Sequence, residues 1–205
     1  MIKNILFDMG NVLIRWEPDK IIERRHLSPE DADILMKELF RSVEWVQLDR
    51  GVLDDDRLLE KVLPRLPEHL HEAAADIVKH WDEPEIPMID GMEDLVRELS
   101  NNGYGLYLLS NASVRHPEYW PKLPVAEYFG DRLLISAFIN HIKPEKEYFE
   151  TALSKFDLIP SECIFIDDSP LNVEAAINAG INGIVFHQDA EHLRKKLKEF
   201  GVGGK

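Results

Sequence analysis

The chain has a single cysteine, Cys163, so no intrachain disulfide can form, and a reducing compartment is the expected setting. It has no apolar stretch near the roughly 20 residues that a membrane span needs. Asp8 interrupts the N-terminal apolar run too early for a secretory signal. Basic residues are scarce: 24 Lys and Arg stand against 38 Asp and Glu, for a net charge of −14. Phosphate backbones are held by basic patches, so no nucleic acid partner is expected, whereas a small anion in a local pocket is not excluded. Internal repeats and low-complexity segments are also lacking. These absences leave a cytoplasmic protein without membrane contact, a monomer or homodimer. At 205 residues it can bury a real core as one domain, or one domain with an insert.

What is present is a rhythm. Five short apolar runs read as strands: Ile5–Phe7, Leu106–Leu109, Leu133–Ile135, Cys163–Ile166 and Gly183–Phe186. None alternates with polar residues, which is the pattern of strands covered on both faces. Helical stretches separate the later runs: Gly91–Asn101, Pro144–Phe156, Pro170–Ala179 and Asp189–Phe200. Proline suits the first helical position, and Gly103 and Gly180 serve as stops. The expected fold is α/β, a doubly wound five-stranded parallel sheet with a Rossmann-like core.

The first interval breaks that rhythm. From Trp16 to Pro87 there are helix signals and no convincing strand. Ser28-Pro29-Glu30 reads as a cap with a first-turn proline, followed by Ile34, Leu35, Leu39 and Phe40 at helical spacing. Leu58, Leu59, Val62 and Leu63 mark a second helix, and Ala73, Ile77 and Trp81 a third. Residues 1–15 and 88–205 are expected to form the core, and 16–87 an inserted helical cap. The turn at Leu13–Trp16 and the proline-flanked Glu83–Pro87 connection are its expected hinges. The tail from Gly201 reads as frayed.

Ligands of open parallel sheets sit beyond the carboxyl ends of the strands. There the sequence places Asp8, Ser110-Asn111, Lys143 and Asp167-Asp168-Ser169. Each residue alone has an ordinary explanation as a cap, a turn or a solvated loop. Jointly they describe adjacent carboxylates that repel unless a hard cation lies between them, with a lysine and small donors that suit a phosphate.

The segments "FDMGNVL", "LLSNAS", "HIKPEKEYF" and "IFIDDSPLNVEAA" resemble, in order, the four motifs of the haloacid dehalogenase-like hydrolase superfamily. The "DMGNV" and "SNAS…H…W" variants look most like its α-D-glucose-1-phosphate phosphatases. The resemblance implies a Mg²⁺-dependent phosphatase acting on a small phosphorylated metabolite, with a sugar 1-phosphate as one option. Asp8 would be the nucleophile that forms an aspartyl-phosphate. Ser110 and Asn111 would hold phosphoryl oxygens. Lys143 would neutralise developing charge, with its loss expected to cost rate rather than stability. Asp8, Asp168 and the Gly10 carbonyl would bind Mg²⁺. Asp167 would orient Lys143 or a metal-bound water, and Asn172 would add hydrogen bonds.

Gly10 departs from the family pattern. Most relatives carry a second Asp there, which protonates the leaving oxygen and later deprotonates water. Either the substrate has a good leaving group, as a sugar 1-phosphate does, or another residue substitutes, with His116 the nearest candidate. Trp16, Trp45 and Trp120 suit a sugar-binding wall or the core, where tryptophan is more often found. Gln47–Asp56, "QLDRGVLDDD", reads as a polar cap loop facing the site, with Arg50 either touching substrate or solvated; Arg15 has the same two readings. The rivals are a metal-free dehalogenase of the same fold, a phosphoacceptor signalling domain, and a catalytically silent phosphate-binding protein. The Asp167-Asp168 pair argues against the first, its place after the fourth strand against the second, and the intact Asp8, Lys143 and Asp168 against the third.

Overall fold

The computed structural model describes residues 1–83 and 86–203. All five expected strands are present: β1 (Asn4–Phe7), β2 (Gly105–Ser110), β3 (Leu133–Ile135), β4 (Cys163–Asp167) and β5 (Asn182–Val185). Every pairing is parallel, in the order β3-β2-β1-β4-β5. The chain leaves the central β1, builds two strands on one side, and then crosses to build two on the other. Phe7 is therefore level with Leu108 of β2 and Ile166 of β4. The residue that follows it, Asp8, emerges at the switch point of the topology.

Each face of the sheet is covered, which accounts for the unbroken apolar runs. Ile5, Phe7, Leu106, Ile164 and Ile184 pack on one side, and Leu6, Leu109, Leu134 and Phe165 on the other. Phe7 is fully buried and meets Phe129 edge to face at 5.9 Å. Burial of a side chain of this kind is worth about 1.5–3 kcal/mol.

Between β1 and β2 run α1 (Pro18–Glu23), α2 (Pro29–Leu35), α3 (Val43–Asp49), α4 (Asp55–Val62) and α5 (His71–His80). A π-helical turn, Met36–Phe40, extends α2. Ser28 caps α2 by accepting the Asp31 N–H at 3.1 Å, and Pro29 takes the first helical position. Helices α1 and α3 were not apparent in the sequence. Gln47–Asp56 is not one loop: Gln47–Asp49 complete α3, and Asp54 caps α4 by accepting the Arg57 N–H at 2.8 Å.

The remaining helices are α6 (Met92–Asn101), α7 (His116–Tyr119), α8 (Ala126–Phe129), α9 (Lys146–Lys155), α10 (Pro170–Asn178) and α11 (Ala190–Glu199). Pro144 does not start α9. It follows a cis peptide bond in a turn closed by the Glu145 N–H on the Ile142 carbonyl at 2.8 Å, and the helix begins two residues later. No helix among the described residues is long and apolar enough to cross a membrane. The start of the tail is not frayed. Val202 is buried and donates to the Leu197 carbonyl at 3.0 Å, and Gly203 donates to the Tyr104 hydroxyl at 3.2 Å.

The helical insertion packs into the same apolar cluster as one face of the sheet; Leu35, Leu58 and Ile77 belong to it with Ile5 and Phe7. The two segments read as hinges pair with one another. Arg15 donates to the Pro87 carbonyl at 2.8 Å and Ile89 to the Leu13 carbonyl at 2.9 Å. Pro84 and Glu85 of the second hinge lie outside the described residues, as do Gly204 and Lys205.

Polar ties fix the insertion from above. Arg50 grips Glu145 through two hydrogen bonds of 2.9 and 2.6 Å, and exchanges a further pair with Asn140. Arg115 donates to the Val78 carbonyl and to Asp82, each at 2.9 Å. Gly51 completes the first joint with φ +77°, so close to the loop after β3 that an added Cβ would lie 2.2 Å from the Ala137 carbonyl oxygen. Gly51→Ala is expected to lower stability by more than about 1 kcal/mol, because both the backbone angle and the space oppose a side chain. A thermal melt checks this; an unchanged midpoint would refute the tight joint.

Candidate active site

Two strand ends converge on one ammonium group, and a third holds its backbone. Lys143 is almost fully buried, and its Nζ lies 2.7 Å from Asp8 Oδ1 and 2.7 Å from Asp167 Oδ2. Asp8 extends β1 by donating its N–H to the Ile166 carbonyl at 2.9 Å. Asp167 ends β4 fully buried. It accepts the Ser169 N–H at 2.8 Å and both its oxygens accept from Asn172 Nδ2, at 3.1 and 3.0 Å. The Lys143 backbone is held in turn by Asn111: its N–H donates to Asn111 Oδ1 at 2.8 Å, and its carbonyl accepts from Nδ2 at 3.0 Å.

Burial pushes the Asp8 carboxyl up to about 7, against the pull of Lys143. Burial also disfavours the Lys143 ammonium, but the charges of Asp8 and Asp167 outweigh it and hold the group above its ordinary value. Asp168 is raised by burial and then by the charge of Asp167. A cluster of acids around one cation is thus short of positive charge.

The donors present fit a hard divalent ion. Carboxylate oxygens of Asp8, Asp167 and Asp168 lie within 4.8 Å of one another. Asp167 is already spent on Lys143, Asn172 and Ser169, which leaves Asp8 and Asp168. Asn11 steadies Asp168 by donating to its Oδ2 at 3.2 Å. The Gly10 carbonyl accepts no backbone hydrogen bond among the described residues, since Asn11 and Ile14 close the turn past it. An all-oxygen set of this kind suits Mg²⁺.

These groups line a cavity of about 350 Å³. Asp8, Gly10, Asn11, Asn111, Ser113, Lys143, Asp168 and Asn172 form its polar floor, and Trp16, Phe40, Trp45, Trp81 and Tyr119 an aromatic side. The tryptophans therefore divide. Trp16 and Trp45 face the cavity, whereas Trp120 is buried against His116 and Phe129.

Several expected roles are not the ones the side chains play. Ser110 closes β2, is buried, and is not part of the cavity lining, which Ser113 joins instead. Asn111 lines the cavity, but its amide mainly pins the Lys143 turn. His116 is 2 % exposed, stacked 5.4 Å from Trp120, and outside the cavity. Its Nε2 has no partner among the described residues, and burial pushes its pKa down to about 4. A neutral, enclosed imidazole cannot stand in for the acid absent at position 10. Arg50 reaches Glu145, and Arg15 pairs with exposed Asp90 at 3.2 Å. Gly10 itself has no left-handed φ, and an added Cβ would meet only Trp16, at 3.6 Å.

Asn11, Ser113, Tyr119 and above all Asp49 were passed over in the sequence. Asp49, the last residue of α3, lines the cavity on the side of the insertion. Burial pushes its carboxyl up to about 8, with the charge of Asp8 as the second cause. Its signal was its place beside Arg50 in a polar segment read as facing the site.

The burial of Lys143 also corrects the expectation that its charge matters to rate alone. Removing the ammonium leaves Asp8 and Asp167 facing each other in the interior. Lys143→Ala is expected to lower stability by about 3–5 kcal/mol, the usual consequence of breaking one side of a buried pair. Urea unfolding checks this, and a native-like midpoint would refute it.

Comparison with known proteins gives the family. A family model described as haloacid dehalogenase-like hydrolase matches residues 2–180. The chain is 26% identical over 189 residues to D-ribitol-5-phosphate phosphatase of Bacteroides thetaiotaomicron, covering 88% of this chain and 89% of that one. It is 24% identical over 158 residues to a chloroplast flavin mononucleotide hydrolase of Arabidopsis thaliana, covering 77% of this chain but only 62% of that protein. A HAD family enzyme of Bacteroides thetaiotaomicron, solved with magnesium and inorganic phosphate, shares the fold with a TM-score of 0.69 at 23% identity, over 94% of this chain and 99% of that one. The chain belongs to the haloacid dehalogenase-like hydrolases.

Proposed function

We propose that the protein is a Mg²⁺-dependent phosphatase that hydrolyses the monoester of a small phosphorylated metabolite through an aspartyl-phosphate on Asp8. The observation that carries this is the Asp8 carboxylate on the floor of the cavity, 2.7 Å from a buried ammonium and beside Asp168. A carboxylate oxygen of Asp8 attacks phosphorus and the alcohol leaves; water then attacks the same phosphorus and restores Asp8. Lys143 stabilises the charge that spreads over the phosphoryl oxygens, where one fixed cation is worth several kcal/mol. Asp8, Asp168 and the Gly10 carbonyl would hold Mg²⁺, which polarises those oxygens. A protein of the same fold holds magnesium and phosphate together, which supports this reading.

The organic part of the substrate lies against Trp16, Trp45, Trp81 and Tyr119, whose faces suit a sugar or another compact ring. Relatives named for ribitol phosphate and flavin mononucleotide support a phosphorylated small molecule as the class. The insertion, residues 16–87, serves as the cap that carries most of this aromatic side. A preference for sugar 1-phosphates follows from Gly10 only if no other acid reaches the leaving oxygen.

The test is hydrolysis of p-nitrophenyl phosphate. Turnover should require Mg²⁺, vanish with a chelator and return with added metal. Asp8→Asn should abolish it while leaving the circular dichroism spectrum native. A folded Asp8→Asn protein with most of its activity would overturn the assignment.

A further inference from the structure

Reading the protein as an Asp8 phosphatase leaves one job unfilled. The leaving oxygen needs a proton, and water must later lose one. Among the described residues, five titratable side chains line the cavity: Asp8, Asp49, Tyr119, Lys143 and Asp168. Asp8 is the nucleophile. Lys143 is held as a cation between Asp8 and Asp167. Asp168 is bound by Asn11 and faces the metal position. Burial raises the Tyr119 hydroxyl out of the useful range. Asp49 remains.

Its setting is built rather than incidental. The carboxylate of Asp49 makes no hydrogen bond among the described residues, while its carbonyl and the two residues after it are fixed. Its carbonyl accepts from Ser136 Oγ, which also accepts the Ala112 N–H at 2.9 Å. Ser136 thereby ties the end of α3 to the segment that follows β2. Arg50, the next residue, grips Glu145, and Gly51 lies against Ala137. Neighbours on both elements thus hold the chain still and leave one side chain free to face the reacting centre.

We infer that Asp49 is the acid and base of the reaction, supplied by the helical insertion in place of the group that position 10 lacks. In the first step Asp8 bonds to phosphorus, the bond from phosphorus to the leaving oxygen breaks, and the Asp49 proton goes to that oxygen to release the alcohol. In the second step water bonds to phosphorus, its proton goes to the Asp49 carboxylate, and the bond to Asp8 breaks to release phosphate. Proton and electron counts close over the cycle, and no further reactant is needed. Burial favours the protonated form of this carboxyl, the form that the first step requires.

The experiment compares two substrates on Asp49→Asn, with Mg²⁺ present. p-Nitrophenolate leaves without a proton; a primary alkoxide does not. For an alkyl phosphate, kcat/KM should fall by about 10²-fold or more, the usual worth of a placed acid, and for p-nitrophenyl phosphate by less than about tenfold. The ratio of the two is independent of the fraction of folded enzyme, so a merely structural role would not move it. The second step should also slow, giving a burst of nitrophenolate near one equivalent per active site. Asp49→Ser, read the same way, covers a poorly folding Asn variant. A substrate ratio unchanged from the native protein in both variants overturns the assignment while leaving the Asp8 reading intact. Absence of native turnover on either substrate, with and without Mg²⁺, overturns both.

Discussion

The Lys143 ammonium between Asp8 and Asp167 is the contact on which the rest of the site depends. A buried cation is tolerable only with partners, and here each partner ends a different strand. Asp8 follows the central strand and Asp167 closes its neighbour, so the ion pairs form only when β1 and β4 are in register. Lys143 arrives from a turn outside the sheet, and Asn111, beyond the end of β2, sets the height of that turn through two backbone hydrogen bonds. The site is therefore a consequence of parallel pairing. Shift a strand by one residue and a carboxylate enters the core without its counter-ion.

That dependence explains what could be read in the sequence. Strands covered on both faces are apolar throughout, so all five were visible as runs, and the rule that parallel sheets bind ligands at their carboxyl ends placed Asp8, Lys143, Asp167 and Asp168 together. The helices α10 and α11 were legible from their local caps and stops, whereas the short α7 and α8 were not. What escaped was set by contacts distant in sequence. His116 looked like a loop histidine because nothing local shows that Trp120 and Phe129 close over that segment. Nothing local shows that Asn111, besides lining the cavity, pins a turn 32 residues later. Helix α3 hid because its faces are mixed. Trp45 and Leu48 are buried, but so is Glu44, whose carboxylate is held by Arg65 at 3.0 and 2.8 Å. An acid on the inner face and valines on the outer one defeat an amphipathic reading.

The joint between insertion and core has a division of labour. Arg50 draws Glu145 down to a pKa of about 2, first through its hydrogen bonds. A depressed carboxylate adds stability that is complete above its ordinary pKa and fades as the pH falls through the folded value. The joint is thus at full strength around neutrality and weakens only in strong acid. Arg115 ties α5 to the segment after β2 on the other side, with Asp82 almost wholly enclosed. The apolar cluster holds the insertion against the sheet without direction; these two arginines set its angle.

That angle matters because the polar groups of the cavity come from two sources. Asp8 and Asp168 follow directly on paired strands, and Lys143 is held from its turn by Asn111 and by the carboxylates of Asp8 and Asp167. Asp49 belongs to the insertion and is fixed by Ser136, Arg50 and Gly51. An acid at position 10 would be built on the turn that follows β1 and would be in place whether or not the cavity is enclosed. A carboxyl on α3 is in place only when the insertion sits as the two arginines hold it, with its aromatic side across the cavity from the floor. If Asp49 carries the proton, proton transfer and enclosure of the substrate would depend on the same contacts between insertion and core.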